Sequence, residues 1–141
     1  MELEKLLKAN EITMNKIKED YVSAEIARLL EKKEFNETCY ACYEYFESGV
    51  TLYKGWMFEY KGIPVHNSSE RIKCPTHQMV KKWLRVVHNI VIQTELYSKN
   101  GDYCFEIFKN THRMIVEKSG VYNSYEKADE EAIKYCLENL I

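Results

Sequence analysis

The chain has 141 residues, 45% of them apolar and 30% charged, and a net charge of −2. That is enough for one domain with a real core, and no global field favours nucleic acid or an anionic membrane. No apolar run approaches the ~20 residues needed to cross a bilayer, and five Cys, an odd number, fit reduced thiols better than a disulfide framework.

Residues 1–15 read as a loosely attached helical leader, with Leu3, Leu6 and Leu7 on one side and acids interspersed, unlike a secretory segment. Residues 16–141 read as the domain. A helix is expected from about Lys16 to Lys33, its stripe formed by Val22, Ile26, Leu29 and Leu30. Two tyrosine-rich alternating runs follow, Thr38 to Glu47 and Val50 to Tyr60, joined at Ser48-Gly49 as a hairpin. His66 to Glu70 reads as polar loop.

Cys74-Pro75 is expected to open a central helix, with Pro75 at its first position, where a missing N–H costs nothing. Met79, Val80, Trp83, Leu84 and Val87 make its buried stripe, Lys81, Lys82 and Arg85 point elsewhere, and Asn89 stops it. A strand carrying Ile90, Ile92 and Leu96 follows. Asn100-Gly101 then makes a type I′ turn, both residues tolerating positive φ. The return strand is Tyr103 to Phe108, and a third runs from Arg113 to Glu117. A last helix starts near Asn123 or Ser124, with Asn123 and Glu126 at capping-box spacing and Ala132, Ile133, Cys136, Leu137 and Leu140 facing the core. The order predicts an α+β fold: an antiparallel sheet of about four to five strands with two or three helices packed on it. The pairing of the first hairpin with the later strands stays open.

Three groups of residues carry chemistry worth testing. The hairpin crowds aromatics onto both faces, and a small domain has trouble covering both. Tyr43, Tyr45, Trp56, Phe58 and Tyr60 are therefore the candidate surface for a protein partner. Residues 71–88 contain five cations and no acid. Lys73, Lys81, Lys82 and Arg85 are the alternative, a patch for nucleic acid or a nucleotide. Cys39, Cys42, Cys74 and His77 have the outline of a zinc site, a second alternative. Against it, Cys39 and Cys42 are an odd number of residues apart, so on a strand they point to opposite faces. His77 at a helix opening is disfavoured as a cation, and His88 at a helix end suits the dipole there. No phosphate loop, nucleophile elbow or metalloprotease pattern is present, so no catalytic residue and no cofactor is assigned.

The run Tyr21-Val-Ser-Ala-Glu-Ile-Ala-Arg-Leu-Leu-Glu-Lys-Lys-Glu-Phe35 begins a wider pattern. With Pro75-Thr76, Lys82-Trp83-Leu84-Arg85, His88-Asn89-Ile90 and Ser124-Tyr-Glu-Lys-Ala128, it resembles a family of short proteins from phages, prophages and mobile elements of Bacteroides-type bacteria. The resemblance spans about residues 16–141. It implies a mobile-element origin and a bacterial cytoplasm, but the family has no established activity to transfer. Cys39 commonly has a counterpart there and Cys42 and Cys74 do not, which further weakens the zinc reading. A non-catalytic accessory protein that binds a protein partner is the expected function.

Overall fold

In a computed structural model, residues 2–5, 17–54, 70–110, 114–118 and 120–141 are described, 114–118 as backbone only. Residues 2–5 are helical; the rest of the expected leader, and Trp56, Phe58 and Tyr60 of the hairpin, lie outside the described residues.

Helix α1 spans Ala24–Lys32, shorter than the pattern suggested. Residues 17–20 are not helical. Tyr21 bridges Thr76 as an isolated antiparallel pair, and the Val22 amide donates to Pro75 O at 3.1 Å. The backbone before Ser23 is thus held by partners a helix could not offer. Ser23 caps α1, its hydroxyl accepting from the Ile26 amide. At the other end the Phe35 amide donates to Leu30 O and the Glu34 amide to Glu31 O. This is a Schellman closure, with Glu34 at φ 61° where glycine is usual.

Strands β1 (Ala41–Phe46) and β2 (Gly49–Lys54) form the expected hairpin. A strand the pattern did not announce, β3 (Glu70–Lys73), pairs antiparallel with the other edge of β1, giving the order β2-β1-β3.

Helix α2 spans His77–His88. Pro75 does not open it. Thr76 is the cap, its hydroxyl accepting from the Met79 amide at 3.2 Å, and Pro75 precedes the cap with its carbonyl bound to Val22. Val80, Trp83 and Leu84 are buried, but Val87 is 57% exposed and leaves the predicted stripe. Asn89 ends α2 in the left-handed region, φ 57° and ψ 37°, and Ile90 starts β4 (Ile90–Leu96) at once.

β4, β5 (Tyr103–Lys109) and β6 (Met114–Lys118) make a second antiparallel sheet in sequence order. In the β4–β5 turn only Gly101 takes positive φ, 84°, so the type I′ expectation for both residues is corrected. Helix α3 (Tyr125–Asn139) is capped by Ser124, whose hydroxyl accepts from the Lys127 amide; Asn123 is not the cap.

The fold is α+β with antiparallel strands, shared between two three-stranded sheets. The first hairpin pairs with β3 and not with the β4–β6 meander. α3 packs on β4 and β5, α1 on β3 and α3, and α2 on β4 and α3. Ile26 and Leu30 of α1, Ile72 of β3, Leu84 of α2, Ile90 and Ile107 of the second sheet and Ile133 of α3 belong to one buried cluster. The three helices thus tie the two sheets to a common core.

Candidate functional site: the two sides of helix α2

The inner side of α2 carries two polar groups beside its buried Val80, Trp83 and Leu84. His77 and Lys81, one turn apart, face Asp129 and Glu130 on α3. Lys81 Nζ lies 3.1 and 3.3 Å from the two carboxylate oxygens of Asp129 and donates to the Tyr125 hydroxyl at 3.2 Å. The Thr94 hydroxyl donates to the same carboxylate from β4. Asp129 is 1% exposed. His77 Nε2 is 2.6 Å from Glu130 Oε2, and the Ser23 amide donates to Glu130 Oε1 at 2.9 Å. Burial alone would raise the Glu130 carboxyl, but the hydrogen bonds from His77 and Ser23 outweigh it and hold the group below its usual range. One turn of α3 thereby pins the starts of α1 and α2.

These contacts redistribute the predicted basic patch. Lys81 is neutralised inside the protein, and Lys73 Nζ donates to Glu37 O at 3.1 Å. Lys82 and Arg85 stay exposed on α2, with no ion-pair partner among the described residues. Of the four basic residues expected to act together, the structure brings only these two to one open surface.

Nor do the four proposed zinc ligands converge. Cys39 lies before β1, its thiol toward Glu37 O and the Met79 sulfur; Cys74 donates to Val22 O at 3.4 Å; His77 is turned to Glu130. Among the described residues no three His, Cys, Asp or Glu side chains are grouped to hold a metal ion. Burial pushes the Cys39 thiol up to about 11 and the Cys74 thiol up to about 12, the direction opposite to that of a metal-ready thiolate.

The described aromatics of the hairpin work internally. The Tyr43 hydroxyl donates to Val22 O at 2.7 Å, and burial raises its phenol above the ordinary value. The Tyr45 ring lies 4.3 Å below the Arg28 guanidinium, which in turn makes a two-point contact with Glu70 of β3. Tyr45 therefore joins the first sheet to α1, and Tyr43 joins it to the segment that leads into α1. On the opposite face of that sheet Glu44, 1% exposed, has Arg71 Nε 2.7 Å from Oε1, close but not aligned as a hydrogen bond.

His88 is also corrected. Burial first, and then the nearby Lys109, push its imidazole below the ordinary value. It meets Trp83 in a T-shaped contact, with centroids 4.6 Å apart, and both causes disfavour the cation that the helix end would attract.

The outer side of α2 is apolar and open. Val86 is 70% exposed and Val87 57%. With Met79, Lys82 and Trp83 they line a groove of about 530 Å³ whose opposite wall is Glu37 and Thr38. A second hollow of about 310 Å³, lined by Tyr21, Tyr40, Thr76 and Pro75 among others, shares Gln78 and Met79 with the first. The two hollows adjoin at Gln78 and Met79 and follow α2 one after the other as a trough. Tyr40, 59% exposed and outside the predicted aromatic set, adds an aromatic ring to it. Sequence reasoning missed this site because it assigned Val87 to the core. The available signal was the spacing of Met79, Trp83, Val86 and Val87, which share a side of a helix. No family model, curated protein or solved structure matches the chain.

Proposed function

We propose that this protein is a non-catalytic binding module that engages a protein partner in a bacterial cytoplasm as an accessory of a phage or mobile element, and that the engaged surface is the trough along α2. One observation carries the reading: two branched apolar side chains on consecutive exposed positions, Val86 and Val87, open into an apolar-lined groove. An exposed apolar face costs solubility unless something covers it. The groove abuts a rigid helix, capped at both ends and anchored by Asp129 and Glu130, and so is preformed. The polar groups around α2 bond one another and, among the described residues, present no arrangement of nucleophile and base, which favours binding over catalysis.

The test is site-specific photo-crosslinking in bacterial cells. A photoreactive residue at position 86 is expected to give a discrete adduct with one protein, and the same residue at Thr51, on the exposed strand β2, is expected to give none. No adduct from position 86, or the same adducts from both positions, overturns the proposal.

A further inference from the structure

The identity of that partner surface can be taken one step further, on the premise that the trough is the binding site. We infer that its occupant is an amphipathic helix of another protein, carrying acidic side chains where it passes Lys82 and Arg85.

The shape argues for a helix. The trough follows α2 from Thr76 to Val87, a rise of roughly 17 Å at 1.5 Å per residue, or about three helical turns. Its floor side chains Met79, Trp83 and Val86 recur at helical spacing, and ridges of that spacing accept a second helix between them. Apolar anchors at i, i+3 or i+4, and i+7 are how an amphipathic helix fills such a groove. Met79 adds an adaptable side chain and Tyr40 a large rigid one, a combination suited to gripping apolar anchors.

Charge argues for acids on that helix. Lys82 lines the groove, and Arg85 lies one turn beyond it on the exposed surface. Neither is neutralised by a described residue, whereas their neighbours Lys73 and Lys81 are engaged elsewhere. Two acids line the trough: Glu37 on the opposite wall, where the Lys73 ammonium lies against its backbone carbonyl, and Glu19 in the second hollow, with Pro75 and Thr76 before the start of α2. Lys82 in the groove wall and Arg85 beside it, both without an ion-pair partner among the described residues, select a partner with negative charge where it passes them.

The test is selection from a displayed library of random peptides about 16 residues long, enough to fill the trough as a helix. The full chain serves as bait, and selected peptides are measured by fluorescence anisotropy. Enriched sequences are expected to combine anchors at i, i+3 or i+4 and i+7 with acidic side chains flanking them. Val86→Asp is expected to weaken their binding about tenfold or more, the effect of losing one hot-spot contact. The pair Lys82→Glu and Arg85→Glu is expected to do the same, with urea unfolding unchanged in both variants. Peptides lost on Val86→Asp but indifferent to the charge reversal would leave the trough as the site and overturn the acidic helix. No enrichment, or peptides indifferent to Val86→Asp, would overturn the trough itself. Two other occupants have their own signatures, each of which overturns the inference. One is a dimer in sedimentation that Val86→Asp dissolves. The other is displacement of the bound peptide by a single-stranded oligonucleotide.

Discussion

The two sides of α2 are treated differently by the fold. Toward the protein the helix buries Val80, Trp83 and Leu84 in the core and sets His77 and Lys81 against two carboxylates; toward the surface it leaves Val86 and Val87 uncovered. On the inside Lys81 and Asp129 are fixed counter-charges, so removing one leaves a buried ion uncompensated. On the outside each apolar group has water, so its removal costs the fold little. The comparison separates residues that hold α2 in place from residues available for work, and stability measurements can sort them.

The largest effect is expected at Lys81→Ala, which leaves Asp129 charged in a site almost closed to solvent. Such a loss costs about 3–5 kcal/mol, read as a lowered midpoint in urea unfolding. Replacing the pair together, Lys81→Met with Asp129→Leu, is expected to recover most of it, because two apolar groups need no counter-charge. If Lys81→Ala unfolds at the parent midpoint, the inner side is not the anchor described here.

Next comes pH. The Glu130 carboxyl is held low in the folded state, so its contribution is present above the ordinary carboxylate value and is lost as pH falls through it. The His88 imidazole is also lowered, so below its ordinary 6.5 the unfolded chain takes up the proton first and stability falls with pH there too. Burial raises the Cys39, Cys74 and Cys136 thiols from 9.0 to about 11, 12 and 12. Above pH 9 the unfolded chain ionises first, and stability is lost as pH rises. Thermal melts are expected to peak between these windows, and His88→Gln is expected to flatten the slope just below 6.5.

Smaller still, Glu34→Gly is expected to stabilise by about 0.5–1 kcal/mol, since the residue closing α1 has positive φ and glycine bears that without strain. Smallest is Val86→Asp, whose effect on unfolding should stay within about 0.5 kcal/mol while peptide binding weakens about tenfold or more. A large destabilisation by Val86→Asp would collapse the distinction between the two sides.

Much of the architecture was legible in local chemistry. The β1–β2 hairpin, the stop at Asn89, the strand after it and the core stripe of α3 all follow from alternation, helical spacing and a residue tolerant of left-handed backbone. β3 was not, because Glu-Arg-Ile-Lys is too short and too charged to look like a strand; its place depends on the free edge of β1. The start of α1 was misplaced because Tyr21 and Val22 pair with residues over fifty positions away. Lys81 was read as surface for the same reason: periodicity puts charges outward by default, and only the position of Asp129 on another helix turns one inward. The trough escaped notice because Val87 differs from a core valine only in what the segment around Glu37 and Thr38 leaves uncovered.

Asn89 has a consequence of its own. One residue separates the last turn of α2 from the first pair of β4, with no slack between them. Helix rotation and strand parity are therefore locked like gears on a shared axle. A single amino acid inserted there would trade Ile90, Ile92 and Thr94 for Val91, Gln93 and Glu95 on the interior of the second sheet. Evolution can change the length of this chain at many places, but at that joint only by steps that keep odd and even in phase.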